Sequence, residues 1–584
     1  MARSRPVAAA TCVSCAIDRL RRVSAPRLSE FIKAYDVRGL VPQQLNDAVA
    51  FAIGSAFARV VAIADGATSI VVGHDMRESS PGLSRSFAEG AAAHGLDVTL
   101  IGLCSTDGLY YASGALDVPG AMFTASHNPA RYNGIKLCRS GARPVGQDTG
   151  LGQISALAQS LLDSGGAPAA LAAEVPAGDI GERDVLADYA QFLRGLVDLS
   201  DLRPLTVVVD AGNGMGGHTV PAVLGTEAGL AALPLTVIPL YFELDGTFPN
   251  HEANPLDPAN LVDLQAAVLA HGADLGLAFD GDADRCFVVD ERGQPVSPSA
   301  ITALVGTREV AKERAAGRDA TIVYNVISSA AVPELIGEAG ATAVRTRVGH
   351  SFIKDEMARV QAVFGGEHSA HYYFRDFWFA DTGMLAAMHV LAALGEQSRP
   401  LSEMAAEFSR YVASGEINST VADAGAAIAE VRQWARAWGQ AEGQDVEFDE
   451  LDGMTVTHRG APMWWFNLRA SNTEPLLRLN VEAVDIPAMQ QVRDDVLDVV
   501  ARRELMTKVS GTSAAASPCD PTRPAIEPWL RQILRCPQCR STLSDGSGPG
   551  GPELQCTNTQ CRRAYRVEEG VPVLLVDESR LLAD

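Results

Sequence analysis

Short apolar runs alternate with stretches of helical apolar spacing through most of this chain, and that alternation is its first readable feature. The run Phe31-Ile32-Lys33-Ala34-Tyr35-Asp36-Val37-Arg38-Gly39 reads as a strand that delivers an arginine into a loop. Leu45 to Ala64 carries helical spacing, Ser69 to Gly73 a buried strand, Leu83 to His94 a helix, and Val98 to Ile101 another strand. Leu205 to Asp210, Leu275 to Phe279, Ile322 to Tyr324 and a run at Val344 continue the pattern. Strands alternating with helices predict an α/β protein with mostly parallel sheets, whose loops at the strand C-termini carry function. From about Tyr411 the pattern changes, and Trp464 to Arg469 and Leu476 to Glu482 read as two strands flanking a turn.

Composition narrows the classes. A length of 584 residues suits about four domains, and 47% hydrophobic with 20% charged residues is ordinary for a globular protein. A net charge of −23 argues against nucleic-acid binding, so an anionic substrate needs a local basic pocket. No run of 18 apolar residues appears, and no membrane span is expected. Residues 1–27, with scattered arginines and a short apolar patch from Val7 to Ile17, read as an unprocessed, poorly ordered extension. Residues 162–180, rich in Ala, Gly and Pro, read as a connection between domains. Cys104, Cys138 and Cys286 stand alone and read as reduced thiols, which favours a cytoplasmic setting.

Candidate chemistry sits in the loops. Met122-Phe-Thr-Ala-Ser126-His127-Asn-Pro129, followed by Asn133-Gly134-Ile135-Lys136, places a serine on a tight loop, where it needs a base, a metal or a strong field to react. Ala211-Gly-Asn-Gly-Met-Gly-Gly217 is glycine-rich but lacks the Lys-Ser ending of a phosphate loop, and reads as a strand-to-helix turn. Asp280-Gly-Asp282-Ala-Asp284-Arg285 ends a buried strand with three carboxylates at alternate positions, which would repel without a hard cation. Calcium is disfavoured because Arg285 and an apolar run stand where a calcium loop continues. His350 and the segment Glu367-His-Ser369-Ala-His371 bring histidines and a carboxylate to two further loops. Arg469 and Arg478 flank Ser471-Asn472-Thr473, a donor set suited to phosphate oxygens.

Five motifs in this order, Tyr35-Asp-Val-Arg-Gly39, Thr124-Ala-Ser-His-Asn-Pro129, Asp280-Gly-Asp-Ala-Asp-Arg285, Gly366-Glu-His-Ser-Ala-His371 and Arg469-Ala-Ser-Asn-Thr-Glu-Pro475, resemble the α-D-phosphohexomutase family in its phosphomannomutase/phosphoglucomutase branch, over about Phe31 to Val500. The resemblance implies three similar mixed α/β domains (28–178, 179–298, 299–408) and a smaller, mobile α+β domain (409–507) around one cleft. It implies that Ser126, in a catalytic loop with His127, carries a phosphoryl group, and that Mg²⁺ is held by Asp280, Asp282, Asp284 and an oxygen of phosphorylated Ser126. A hexose phosphate would pass through a hexose 1,6-bisphosphate, which also serves as activator. Arg38, Arg285 and Lys136 would neutralise the transferring group, and either Lys136 or His371 would move the hydroxyl proton. Glu367 and Ser369 would hold sugar hydroxyls, His350 would line the pocket, and Arg469, Ser471, Asn472, Thr473 and Arg478 would grip the non-reacting phosphate. One departure is Ala370, where the family usually has glycine, which puts the substrate range in question.

Residues 508–526, rich in Ser, Ala and Pro, read as a linker to a small domain, 527–584. There Cys536-x₂-Cys539 and Cys556-x₄-Cys561 supply four thiolates, the ligand set of a structural Zn²⁺, with iron left open. With Tyr565-Arg-Val-Glu-Glu-Gly-Val-Pro-Val-Leu-Leu575, this segment resembles the zinc-ribbon proteins that activate methyltransferases, which implies a methyltransferase partner. Cys12 and Cys15 receive no role. The expected function is phosphomannomutase, with phosphoglucomutase or phosphoglucosamine mutase as close alternatives and a methyltransferase-binding scaffold as the alternative of another class. Monomer and dimer both stay open.

Overall fold

The computed structural model describes residues 26–33, 35–164, 176–471, 476–512, 534–548, 551–568, 571–574, 576 and 579–582. Cys12, Cys15, Asn472, Thr473 and residues 513–526 of the expected linker lie outside the described residues. The chain divides into two units, Met1–Arg502 and Arg503–Asp584.

Among the described residues the first unit contains four sheets. In the first, Ser69–His74 pairs in parallel with Asp97–Leu103 and Gly120–Phe123, and the antiparallel strands Tyr132–Arg139 and Val37–Leu40 extend it. Ile180–Glu182, beyond the expected end of the first domain, adds to the other edge of this sheet. The second and third sheets repeat the plan. Leu205–Asp210 and Leu275–Phe279 are parallel, with Cys286–Asp290 returning antiparallel. Thr321–Asn325 and Phe364–Gly366 are parallel, with Tyr372–Phe374 returning antiparallel. The expected mostly parallel sheets are therefore mixed, because each active-site loop is the turn of such a parallel-to-antiparallel return.

The apolar runs form strands because both faces are covered. Along Ile70-Val71-Val72 the middle residue joins one core and its neighbours another, as the two-residue period of a strand requires. The core containing Val71 continues through Leu109, Leu193, Val207, Leu277, Leu304 and Leu391, so the first three domains share one apolar interior. Asp107 reinforces it: fully buried, it accepts from Tyr189 Oη (2.7 Å) in the second domain and Thr382 Oγ1 (2.6 Å) in the third.

The helical spacing at Leu45 to Ala64 forms Asp47–Phe57, capped by the Asn46 side chain on Val49 N (3.2 Å), and continues as a π-turn over Ala58–Ala62. Helix Ile486–Thr512 runs five residues into the segment expected to be linker. The fourth sheet is wholly antiparallel and has its own core, with Val431, Phe466, Leu479 and Val496 at its centre. Among the described residues no helix is long and apolar enough to cross a membrane. The second unit is a small sheet of short strands around Cys536, Leu543, Leu554, Cys556 and Tyr565.

Candidate active site

Ser126 lies just past the end of Gly120–Phe123, buried (3% exposed), with a left-handed φ of 48°. A non-glycine residue takes that conformation only where its surroundings over-determine it. Here they do. Arg77, itself 2% exposed, donates to the carbonyls of Ser126 (2.9 Å), Asn128 (2.7 Å), Pro129 (3.1 Å) and Tyr132 (2.9 Å). Asp75 fixes the guanidinium from behind through Nε (3.2 Å). Arg38 donates to the Asn128 side chain of the same loop.

Opposite Ser126 stands the aspartate loop. Ser126 Oγ donates to Asp280 Oδ2 (2.6 Å) and receives Arg285 Nη2 (3.2 Å), and His127 Nδ1 is 3.2 Å from the same hydroxyl. Asp282 Oδ2 takes Thr106 Oγ1 (2.6 Å) and Lys136 Nζ (2.7 Å), and Lys136 also reaches Asp284. The three carboxylates offer ligand atoms within 4.8 Å of one another, and all are buried. Burial, with Asp282 and Asp284 adding to it against Arg285, pushes Asp280 up to about 7. Burial opposes ionisation of Asp282 as well, but Lys136 overcomes it and holds the carboxyl below its ordinary value. Asp282 Oδ1 and Asp284 Oδ1 are buried with no hydrogen-bond partner among the described residues. Crowded carboxylates with orphaned oxygens are the donor set of a hard divalent cation, and the residues fit Mg²⁺. Ala283, between two of them, is also left-handed (φ 59°).

A cavity of about 350 Å³ opens over this centre, lined by Arg38, Ser126, His127, Lys136, Asp284, Arg285, His350 and His371, together with Lys33, Tyr35, Asp36, Tyr110 and Asp381. His371 Nδ1 is 3.0 Å from Ser369 Oγ, and Nε2 is 3.7 Å from Asp284 Oδ1. Burial lowers the His371 imidazole despite nearby Asp284, and burial with Lys354 lowers His350 to about 4. Both rings are neutral at pH 7. Lys136 is the reverse: burial opposes its charge, but Asp282 and Asp284 raise it above its ordinary value.

Glu367, expected to hold sugar hydroxyls, also has partners within the protein. It is 2% exposed, and Oε1 accepts from Asn325 Nδ2 (3.1 Å) and Gly349 N (3.1 Å) while Oε2 accepts from Tyr373 Oη (2.7 Å). With two donors on Oε1 and one on Oε2, the carboxylate keeps an acceptor site on Oε2. Arg469 and Arg478 face each other across adjacent strands of the fourth sheet and share Glu416, at 2.9 and 3.3 Å. Ser471 follows on the same strand end, and Asn472 and Thr473 lie outside the described residues.

In the second unit Cys536 Sγ is 3.7 Å from Cys561 Sγ and Cys539 Sγ is 3.4 Å from Cys556 Sγ, all four converging within 4.8 Å. A tetrahedron of Zn–S bonds of ~2.3 Å has sulfur–sulfur edges of about 3.8 Å, so the cluster fits such an ion. Hydrogen bonds from Ser541 lower the Cys539 thiol to about 6, toward the thiolate a metal takes, while burial pushes the Cys556 thiol up to about 12.

Sequence reasoning missed Arg77, Asp75, Thr106, Asp107, Lys354 and Asp381. Asp75 and Arg77 carried a signal, as charged residues at the end of a buried strand. Lys354 and Asp381, a buried pair 2.5 Å apart beneath the cavity with the ammonium 4.0 Å from the Tyr110 ring, carried none, since a lysine in a helix reads as surface.

Residues 30–161, 187–293, 297–411 and 416–499 match, in turn, the phosphoglucomutase/phosphomannomutase alpha/beta/alpha domains I, II and III and the C-terminal domain of the same family. The chain is 39% identical over 473 residues to a phosphomannomutase of Salmonella montevideo, covering 80% of this chain and 98% of that one. It is 38% identical over 474 residues to a protein of Xanthomonas campestris pv. campestris named phosphohexose mutases, again covering 80% and 98%. A crystal structure of a phosphoglucomutase/phosphomannomutase family protein from Burkholderia thailandensis superposes with a TM-score of 0.69 at 30% identity, covering 80% of this chain and 96% of that one.

Proposed function

This chain belongs to the phosphoglucomutase/phosphomannomutase family, and we propose that it interconverts mannose 6-phosphate and mannose 1-phosphate through a phosphoserine at Ser126 and a hexose 1,6-bisphosphate. It is a phosphohexomutase, an intramolecular phosphotransferase. The observation that carries the reading is Ser126 Oγ, 2.6 Å from Asp280 Oδ2 and 3.2 Å from Arg285 Nη2, at the floor of a cavity flanked by Arg38 and Lys136.

The hexose phosphate is held by its non-reacting phosphate on Arg469, Ser471, Asn472, Thr473 and Arg478, with its free hydroxyl toward phosphorylated Ser126. Mg²⁺, when bound by Asp280, Asp282, Asp284 and a phosphoseryl oxygen, supplies positive charge against the phosphoryl oxygens. A bond forms between the sugar oxygen and phosphorus as the phosphorus–Ser126 Oγ bond breaks, and Arg285 offsets the charge that develops on Oγ. Lys136, kept cationic by its carboxylate partners, offsets charge on the transferring group, and His371, kept neutral by burial, takes the hydroxyl proton. The bisphosphate turns over in the cavity, and the reverse sequence returns its other phosphate to Ser126 and the proton to the sugar. His350 and Ser369 line the sugar's path, with His127 beside the serine.

For the second unit the reading is a Zn²⁺-stapled module, supported by the four converging thiols; that it binds a methyltransferase is tested by capture that depends on residues 527–584. A cytoplasmic setting is supported by the buried free thiols Cys104, Cys138 and Cys286.

The test is steady-state mutase activity on mannose 1-phosphate with Mg²⁺ and a hexose bisphosphate, wild type against Ser126→Ala. Loss of several orders of magnitude in the variant is expected. A wild type inactive on mannose, glucose and glucosamine phosphates alike overturns the reading, and faster turnover of glucose 1-phosphate makes it a phosphoglucomutase.

A further inference from the structure

Arg469 and Arg478 sit directly opposite each other in register on neighbouring strands. Like charges in that position repel. Among the described residues Glu416 compensates, with one oxygen 2.9 Å from Arg469 Nη2 and the other 3.3 Å from Arg478 Nη1.

Its placement is built into the strand. Along Val412–Thr420, Ala413 opposes Glu482 and Glu416 opposes Asn480, so Ser414 and Gly415 together face the single residue Val481. This is a β-bulge, with Gly415 at a left-handed φ of 70° and Ser414 Oγ accepting the Val481 amide (3.0 Å). An extra residue moves every later side chain to the opposite face of the sheet. Without the bulge Glu416 would point into the apolar core beside Leu479, and Ile417 would stand beside the arginines. With it, Glu416 shares the polar face with Asn467, Arg469, Arg478 and Asn480. On that face two donors, Asn480 Nδ2 and Arg469 Nε, and one acceptor, Asn467 Oδ1, are buried with no hydrogen-bond partner among the described residues.

We propose that Glu416 is a built-in counter-anion of the arginine pair, bridging Arg469 and Arg478 in the free protein and yielding them to the phosphate of the incoming sugar. The proposal rests on the reading that these arginines hold the non-reacting phosphate. A mutase has a particular need for such a group. Its bisphosphate intermediate presents first one phosphate and then the other to the same site, so each must leave the arginines once per turnover. A phosphate dianion between two unopposed guanidiniums forms several charge-assisted hydrogen bonds and leaves slowly. Glu416 refills the site as the phosphate departs, which lowers affinity and speeds release.

The experiment measures binding of mannose 1-phosphate, and separately of inorganic phosphate, to full-length Glu416→Gln, Glu416→Asp and Arg469→Ala proteins by calorimetry, with steady-state kinetics and melting temperatures alongside. Glu416→Gln is expected to bind both anions about three- to tenfold more tightly, the range of one or two part-exposed ion pairs, with KM and kcat falling together. Glu416→Asp, drawn back from the arginines, is expected to fall between. Arg469→Ala should weaken both. Unchanged or weaker binding by Glu416→Gln, with Arg469→Ala weakened and melting temperatures intact, overturns the counter-anion role and leaves the phosphate site standing. Binding unaffected by Arg469→Ala overturns the phosphate site itself.

Discussion

Gly281, between two of the aspartates proposed to hold Mg²⁺, tests how closely the serine and aspartate loops must approach. A Cβ at this position would lie 2.4 Å from the Ser126 carbonyl oxygen and 3.1 Å from its carbon. Real Cβ atoms do not approach within 3.0 Å, so Gly281→Ala forces the two backbones apart by at least about 0.6 Å. Ser126 cannot simply retreat, because the same carbonyl accepts from Arg77, whose guanidinium is held by three other loop carbonyls. The gap therefore opens between Ser126 Oγ and Asp280 Oδ2, now 2.6 Å apart, and the hydroxyl leaves its acceptor. Overpacking of this kind costs about 1–3 kcal/mol of stability. Misplacement of a reacting group by about 1 Å costs roughly a hundredfold in rate, so a loss of about ten- to a hundredfold in kcat is expected. The assay is steady-state turnover of mannose 1-phosphate, with phosphate on Ser126 read by intact mass and the melting temperature as a fold control. Gly337→Ala, where the added methyl meets nothing within 4 Å, should leave turnover unchanged. A Gly281→Ala protein with kcat within twofold of wild type and an unshifted melting temperature refutes the close-approach reasoning.

Four further outcomes follow from the same geometry. Arg77→Met leaves buried Asp75 without its cation and four loop carbonyls without their donor, so denaturant titration should read a loss of about 3–5 kcal/mol, and Arg77→Lys, which lacks the planar fork, should restore little. If neutral His371 accepts the hydroxyl proton, activity is lost as pH falls through its lowered value, so the acid limb of kcat/KM should lie below the ordinary histidine range, and His371→Asn should cost about 10²–10⁴-fold and abolish that limb. Ala370 is fully buried at a left-handed φ of 65°, so Ala370→Gly should gain up to about 1 kcal/mol in thermal unfolding; a destabilised variant would show that the methyl's packing outweighs the strain. Metal analysis of the purified protein should find one zinc per chain, lost in Cys539→Ser together with the fold of the second unit but not the fold of the first.

Much was legible in the chain because local rules wrote it. Alternating apolar runs and helical spacing specify βα units from neighbouring residues alone, and Asp280, Asp282 and Asp284 advertise a cation because carboxylates at alternate positions ending a buried strand are otherwise unstable. Cys536, Cys539, Cys556 and Cys561 are legible for the same reason. Tertiary structure alone decided what depends on partners far apart in sequence. Arg77 became the clamp of the serine loop only when the fold carried Ser126 and Tyr132 to it. Glu367 is positioned by Asn325, Gly349 and Tyr373, contacts that no spacing within its own motif encodes. Glu416 faces the arginines because one bulge reverses the pleat of its strand, and a single left-handed Gly415 leaves no periodic trace. Short-range spacing determines which groups a loop can present, and only the packing of distant strands determines which of them remain free to meet a substrate.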